Sequence, residues 1–183
     1  MLSKNVSRSD AAQRAERRSI VLVGMMGVGK STIGRRLALR LGYEFIDADD
    51  EIELAANMSV SEIFERYGEA YFRDGERRVI ARLMDGDRTV IATGGGAFCD
   101  AATRALILDR AISIWLDAPI ETLVERVGRR DTRPLLRGRD PVEVLTELMA
   151  RRRAFYAEAA LRIQSDDGPH DRTVAAILKA LKA

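Results

Sequence analysis

The glycine-rich stretch Gly24–Ser31, with the sequence GMMGVGKS, has the clearest capacity for chemistry in this chain. It fits the pattern G-x-x-x-x-G-K-[ST], in which glycines let successive backbone N–H groups point into a concave loop that binds phosphate oxygens. Lys30 would reach the β- and γ-phosphates, and the hydroxyl of Ser31 would bind Mg²⁺, a cation that prefers oxygen ligands. An apolar segment precedes this P-loop and a helical pattern follows it, so the motif predicts a site for a nucleoside triphosphate.

Two carboxylates, Asp47 and Asp49, follow the next apolar segment. Residues two apart at the end of a strand point the same way, and ligands of open parallel sheets bind at the carboxyl ends of the strands. One carboxylate would hold Mg²⁺ through water, and the other would align an attacking hydroxyl or accept its proton. The alternative is structural, because Asp49, Asp50 and Glu51 also suit the first turn of a helix.

Arg73 and Glu76 form a second candidate group, followed by the glycine run Gly94–Gly96. The guanidinium of Arg73 has the fork geometry that grips a carboxylate through two hydrogen bonds, and Glu76 would lie beside it on a helix. An exposed helical ion pair is the alternative. Three successive glycines after an apolar strand favour a place where the backbone approaches a ligand closely.

Short apolar segments alternate with helical patterns and would position these residues. The segments are continuously apolar, which indicates strands that are buried on both faces of a parallel sheet. The alternation predicts an α/β fold with right-handed crossovers. The predicted strands are Ile20–Val23, Tyr43–Ile46, Thr89–Ala92, Ile112–Leu116 and Leu161–Gln164. The predicted helices are 30–41, 59–85 with a break near Gly68 or Gly75, 101–109, 119–127, 141–160 and 172–181.

The composition is that of one globular domain. The chain has 183 residues, of which 46% are hydrophobic and 32% charged, and no apolar run approaches the roughly 20 residues that span a membrane. Its single cysteine, Cys99, excludes an internal disulfide and favours a reducing compartment, the cytoplasm. The formal net charge of +2 is the sum of +3 in residues 1–18 and −1 in the rest of the chain, so the overall charge gives no indication of nucleic-acid binding.

The sequence divides into a leader and one domain. Residues 1–18 lack an apolar pattern and predict a disordered leader, with a short organellar transit segment as the alternative. Residues 19–183 predict a single kinase-like domain, in which about 49–85 would bind the second substrate. The stretch at about 128–140 is rich in arginine, contains glycines and a proline, and predicts a mobile lid over the site.

Six motifs occur together in this chain: the P-loop, Asp47-x-Asp49, Phe72-Arg73, the Thr-Gly-Gly-Gly run at 93–96, Arg133-Pro134-Leu135-Leu136 and Arg152-x-x-x-Tyr156. With this combination the chain resembles the shikimate kinase family of P-loop, nucleoside-monophosphate-kinase-like enzymes, from about residue 20 to its end. The resemblance implies a five-stranded parallel sheet in the order 2-3-1-4-5. It also implies transfer of the γ-phosphate of ATP to the 3-hydroxyl of shikimate, on the route to aromatic amino acids.

The same resemblance implies roles for individual residues. Magnesium would be held by Ser31 directly and by Asp47 through water. The catalytic residues would be Lys30, Asp49 as the base, and Arg133 as the lid arginine that reaches the transferring phosphate. The nucleotide would contact Gly27, Val28, Gly29, Lys30, Ser31, Thr32, Arg126 (stacked on adenine) and Pro169. Shikimate would contact Asp49, Phe64, Phe72, Arg73, Gly94, Gly95, Gly96 and Arg152, with Glu76 holding the arginines in place.

The loop at residues 165–170 departs from the family. Its sequence SDDGPH is acidic and lacks the arginine that often lies beside adenine, and Pro169 is displaced by one position. In this loop His170, the only histidine, is expected to face solvent. Cys99 is expected to be a packing residue, and Trp115 a core residue of the fourth strand.

Three other functions fit part of the pattern. Gluconate kinase shares the P-loop, but nothing in that chemistry requires Asp47-x-Asp49 together with Arg73 and the glycine run. A nucleoside-monophosphate kinase would need a nucleobase pocket, for which residues 49–85 are too short. A nucleotide-binding module without catalysis would not need Lys30, Ser31, Asp49 and Arg133 together. The expected partners are ATP, ADP and shikimate, with no membrane or nucleic acid, and the expected oligomeric state is a monomer.

Overall fold

The computed structural model describes residues 18–128, 140–165 and 168–182. Within these residues, five parallel strands form one sheet in the order β2-β3-β1-β4-β5, which confirms the expected fold class and strand order. The strands are β1 (Ile20–Val23), β2 (Glu44–Asp47), β3 (Thr89–Ala92), β4 (Ile112–Asp117) and β5 (Leu161–Gln164).

Helices connect the strands. They are α1 (Lys30–Leu41), α2 (Ala48–Ala56), α3 (Val60–Leu83), α4 (Ala101–Arg110), α5 (Ile120–Gly128), α6 (Pro141–Tyr156) and α7 (His170–Ala180), with a 3₁₀ turn at Ala97–Cys99. The break expected in the third helical segment occurs at Gly68, whose φ of 78° lies outside the helical range, while Gly75 lies within the helix. None of the helices in the described ranges combines the length and apolar character needed to cross a membrane.

The burial of the strands agrees with their apolar patterns. All four residues of β1 and of β3 are buried, as their continuous apolar pattern predicts. The edge strand β2 is only partly buried and begins one residue later than expected, because the backbone N–H of Tyr43 donates instead to the carbonyl of Ala38 in α1. Trp115 is 2% exposed, which confirms it as a core residue.

Several helix limits differ from the sequence prediction, most of them by one or two residues. The structural alternative for the carboxylates after Asp47 is confirmed: they form the first turn of helix α2, which Asp47 caps. Helix α6 ends at Tyr156 rather than at residue 160. The backbone N–H of Ala160 does not continue the helix, since it donates to Ser113 Oγ of the sheet at 2.9 Å. Helix α7 begins at His170, two residues earlier than expected, directly after Pro169.

The parallel arrangement gathers the candidate residues at one edge of the sheet. The carboxyl ends of β1, β2 and β3 lead to the P-loop, to Asp47 and to the glycine run, respectively. Since β1 lies between β3 and β4, the connections diverge on its two sides, and ligands of such folds bind at this point. The expected leader, apart from Arg18, and lid residues 129–139 lie outside the described residues.

Candidate active site

The P-loop takes a conformation that glycine alone adopts easily. Gly24 has a φ of 135°, and Gly27 and Gly29 also have positive φ. There is also no room for a side chain at Gly24, because a Cβ there would lie 2.5 Å from the carbonyl oxygen of Leu116 on β4. The loop is therefore held tightly against the end of the sheet, with α1 beginning at Lys30.

The ammonium group of Lys30 folds back over this loop. Its Nζ donates to the carbonyl oxygens of Gly24 at 2.8 Å and Met25 at 2.9 Å. Lys30 also lines the cleft above the P-loop together with Thr32 and Asp49. These contacts place a fixed positive charge at the rim of an anion-binding loop.

Asp47 joins the P-loop helix to α2. Its Oδ2 accepts a hydrogen bond of 2.6 Å from Ser31 Oγ, and its Oδ1 accepts one of 3.2 Å from the backbone N–H of Asp49. The hydroxyl and carboxylate oxygens are ligands that Mg²⁺ prefers. No group of three or more His, Cys, Asp or Glu side chains in the described ranges is placed to hold a metal.

Asp49 lies at the other side of the same turn and faces the glycine run. A Cβ added at Gly94 would lie 2.8 Å from Asp49 Oδ1. Burial raises the pKa of Asp49, the negative charge of Asp47 raises it further, and the ammonium of Lys30 opposes both. A carboxylate with a raised pKa is a stronger proton acceptor, so this environment suits a general base.

Arg73 and Glu76 of α3 also meet the glycine run. Arg73 Nη1 donates to Glu76 Oε2 at 2.5 Å, and Glu76 is 1% exposed, so the interpretation as an exposed ion pair is wrong. A Cβ added at Gly96 would lie 2.5 Å from Arg73 Nη2, and one at Gly94 would lie 3.3 Å from Glu76 Oε1. A side chain at either glycine would have to displace one of these charged groups.

The fourth side chain at the glycine run is Arg152 of α6. A Cβ added at Gly95 would lie 3.4 Å from Arg152 Nη1. One turn further along the helix, the hydroxyl of the buried Tyr156 donates to the carbonyl of Gly95. This hydrogen bond holds α6 against the run and gives the spacing of Arg152 and Tyr156 a structural reason.

Phe64 and Phe72 pack together beside this cluster. Their ring centroids are 4.6 Å apart, and the guanidinium of Arg73 lies 5.0 Å from the ring centre of Phe72. Phe72 is buried and Phe64 is half-buried. The expected apolar wall is thus assembled, and its contact with a substrate stays a prediction.

Arg126 and His170 also line the cleft. Arg126 Nη1 donates to the carbonyl of Val28 at 3.2 Å and to Ser165 Oγ at 3.4 Å. His170 was expected to face solvent, and that expectation is wrong: the ring lines the cleft, with Cε1 3.3 Å from where a Cβ of Gly29 would be. The reason is the earlier start of α7, which packs on α1 and turns His170 toward the P-loop.

Some of the remaining predicted residues line the cleft and others do not. Thr32 lines the cleft, and Pro169 is an exposed residue at the start of α7. Cys99 is half-buried against the core, as expected of a packing residue, and burial raises the pKa of its thiol. Arg133 lies outside the described residues. Thr93 was missed; it also lines the cleft, and only its place before the glycines hinted at this.

The sequence matches the model of one protein family. The model described as "Shikimate kinase" matches residues 26–182. The chain belongs to the shikimate kinase family. This membership confirms the resemblance predicted from the combined motifs.

Individual relatives agree with the family. A shikimate kinase of Novosphingobium aromaticivorans is 58% identical over 179 residues, covering 96% of this chain and 93% of the relative. The solved shikimate kinase of Acinetobacter baumannii in complex with shikimate superposes with a TM-score of 0.87 at 36% identity, covering 94% and 97% of the two chains. A gluconokinase from Sinorhizobium meliloti has a TM-score of 0.61 at 18% identity and shares the fold alone.

The environment of Glu76 predicts a pH-dependent contribution to stability. Burial, with the negative charges of Asp49 and Asp100, raises its pKa to about 7 even though Arg73 opposes the shift. Because the ordinary value is 4.5, the folded state binds more protons than the unfolded state between these values. Stability from this group should therefore decline as the pH rises through that window.

The test compares the free energy of unfolding of the wild type and Glu76→Gln by urea denaturation between about pH 5 and about pH 8. The wild type should lose stability relative to the variant as the pH rises. Glu69→Gln, which removes an exposed carboxylate that also contacts Arg73, is the matched control. A difference between wild type and Glu76→Gln that stays constant with pH would contradict the prediction.

Proposed function

We propose that this protein is a shikimate kinase that transfers the γ-phosphate of ATP to the 3-hydroxyl of shikimate, giving shikimate 3-phosphate and ADP. The observation that carries the proposal is the convergence of Arg73, Arg152 and Asp49 on the glycine run beside the P-loop. Shikimate is a small carboxylate with three hydroxyls. Two guanidinium groups suit its carboxylate, and a carboxylate acceptor suits a hydroxyl. Membership of the shikimate kinase family supports the assignment.

The P-loop end of the cleft would hold the nucleotide. Backbone N–H groups of Gly27, Val28 and Gly29 would bind phosphate oxygens, and Lys30 would stabilise the charge of the β- and γ-phosphates. Arg126, with its guanidinium fixed on the Val28 carbonyl, would stack on adenine. Thr32 and Pro169 would complete the nucleotide contacts.

Ser31 and Asp47 would hold magnesium. Their hydroxyl and carboxylate oxygens already lie 2.6 Å apart at the edge of the P-loop. Bound Mg²⁺ supplies positive charge that offsets the negative charge of the phosphates during transfer. Asp47 also caps α2, so the same side chain fixes the start of the helix that carries Asp49.

Asp49 would orient the acceptor hydroxyl and take its proton. A new bond forms between the 3-oxygen of shikimate and the γ-phosphorus, while the bond to the oxygen that bridges the β- and γ-phosphates breaks. Most catalysis of such transfers comes from positioning and charge stabilisation. The roles of Arg73 and Arg152 are therefore to hold the carboxylate of shikimate, with Glu76 supporting Arg73 and Phe64 and Phe72 forming an apolar wall.

Several assignments complete this proposal. We assign residues 49–85 to acceptor binding and residues 128–140 to a lid whose Arg133 reaches the transferring phosphate. Most of that lid, including Arg133, lies outside the described residues. A monomeric enzyme in the cytoplasm is our working expectation.

The direct test is ADP release in a coupled assay with Mg·ATP. Shikimate, gluconate, AMP and no acceptor are compared at equal concentration. We expect release above the background only with shikimate. Turnover of gluconate or AMP in place of shikimate would refute the assigned acceptor, and ATP binding without turnover of any acceptor would indicate a non-catalytic nucleotide-binding module.

Substitution of Asp49 tests the role of the base. Asp49→Asn keeps the side-chain shape but removes the proton acceptor, so kcat should fall by roughly 10²- to 10⁴-fold. ADP affinity should change little, because the P-loop is intact. A kcat close to that of the wild type would exclude Asp49 as base or aligning group.

Substitution of Arg152 tests the carboxylate clamp. Arg152→Ala should raise the KM for shikimate by roughly 10- to 100-fold, the usual effect of losing a charged hydrogen bond, with little change in the KM for ATP. The matched control is Arg151→Ala, which removes the neighbouring arginine that is exposed and paired with Glu147. Equal effects of the two variants would show that the loss is not specific to Arg152.

A further inference from the structure

Arg104 of α4 contacts the turn that follows the glycine run. Its Nη1 donates to the carbonyl oxygens of Phe98 at 3.1 Å and Cys99 at 3.2 Å, the last two residues of the 3₁₀ turn. Phe98 is fully buried, and the side chain of Arg104 is only 15% exposed. A charged donor on two successive carbonyls holds a turn more firmly than a neutral donor would.

The same guanidinium also contacts the end of α6. Its Nε donates at 3.1 Å to Oε2 of Glu158, which lies two residues past the end of that helix. Its Cζ lies 4.8 Å from the ring centre of Phe155, which follows Arg152 by three residues on α6. One side chain of α4 therefore joins the turn after the glycine run to the helix that carries Arg152.

The two elements that Arg104 joins meet at the glycine run. Helix α6 packs on the 3₁₀ turn, and its Tyr156 donates to the carbonyl of Gly95. A Cβ added at Gly95 would lie 3.4 Å from Arg152 Nη1. Arg104 itself is not one of the described residues that line the cleft. Any effect of Arg104 on the site must therefore pass through the turn and α6.

An arginine is suited to joining two elements in this way. Its planar guanidinium has donors on more than one edge, so it serves carbonyls and a carboxylate at the same time, while its face packs on an aromatic ring. The ammonium of a lysine is a compact point charge on a flexible stem and has no such fork. Glu158 supplies the counter-charge that a largely buried guanidinium needs.

We propose that Arg104 is a positioning residue for the acceptor. By joining the turn after the glycine run to the end of α6, it fixes the guanidinium of Arg152 beside Gly95. This inference rests on the proposed function, in which Arg152 holds the carboxylate of shikimate. In this role Arg104 touches neither substrate. The alternative is a contribution to stability alone, and the two roles differ in what a variant loses.

The test measures the KM for shikimate, the KM for ATP and the free energy of unfolding in urea. Arg104→Ala should raise the KM for shikimate by roughly five- to twentyfold and leave the KM for ATP within about twofold of the wild type, because the P-loop is unchanged. Arg104→Lys keeps the charge without the fork and should still raise the KM for shikimate by roughly threefold or more. The matched control is Arg110→Ala, which removes an exposed arginine of the same helix that pairs with Asp85. It should leave both KM values unchanged.

A double-mutant cycle with Glu158 tests the connection to α6. Glu158→Gln removes the charged partner on that side and should raise the KM for shikimate by a smaller factor than Arg104→Ala. Residues that act through one shared contact have non-additive effects. The double variant Arg104→Ala/Glu158→Gln should therefore have a KM for shikimate close to that of Arg104→Ala alone.

Three results would overturn the inference. The first is an unchanged KM for shikimate in Arg104→Ala or, if that variant does not fold, in Arg104→Lys; a loss of stability alone would then show a structural role. The second is an equal increase of both KM values, which would show a general disturbance of the protein. The third is a double variant whose increase is the product of the two single increases, since Arg104 and Glu158 would then act independently.

Two further measurements separate this inference from the proposed function. A wild type that neither binds shikimate in calorimetry nor phosphorylates it would refute the function. Backbone hydrogen exchange would still decide whether Arg104 holds the two elements, because Arg104→Lys should speed exchange in residues 95–99 and 152–158. Unchanged exchange in both segments would overturn the inference. A wild type that phosphorylates shikimate, with Arg104 variants of unchanged KM, would refute the positioning role alone.

Discussion

The lack of a side chain at Gly94 and Gly96, the two ends of the glycine run, is the constraint on which the part of the cleft that we assign to the acceptor depends. A Cβ there would lie 2.8 Å from the carboxylate of Asp49 at one end of the run and 2.5 Å from the guanidinium of Arg73 at the other. Larger residues would push apart the very groups that meet over this backbone. Thr93 holds the run in place, because its hydroxyl donates at 3.0 Å to the carbonyl of Leu22 in the neighbouring strand.

A second constraint couples the position of the P-loop to that of Asp49. Asp47 accepts hydrogen bonds both from Ser31 at the P-loop and from the backbone N–H of Asp49. A shift of helix α1, which follows the P-loop, would therefore also move the carboxylate that we assign as base. Phosphoryl transfer requires the donor phosphate and the acceptor oxygen to be held in line, and a shared carboxylate is a direct way to couple their positions.

The burial of Glu76 in this cluster has a free-energy cost. Burying an ionisable group such as Glu76 is unfavourable unless the group is paired, and its partner Arg73 offsets only part of that penalty, as the raised pKa of Glu76 shows. The proposed function gives this buried pair a purpose, because a guanidinium that is held in place by Glu76 suits the carboxylate of the acceptor that we assign to Arg73.

The sequence by itself determined the P-loop, the limits of β1, β3 and β5 and the family, because local spacing and continuous apolar runs encode these directly. Its pattern gave the start of α2 only as an alternative, since the carboxylates after Asp47 suit both a ligand site and a helix start. The family resemblance implied that four charged side chains gather at the glycine run, but only the tertiary structure decided how they contact it, that Glu76 is buried and that His170 lies against the P-loop. These contacts join residues far apart in the chain, and their geometry follows from strand order and helix starts, which no local pattern specifies.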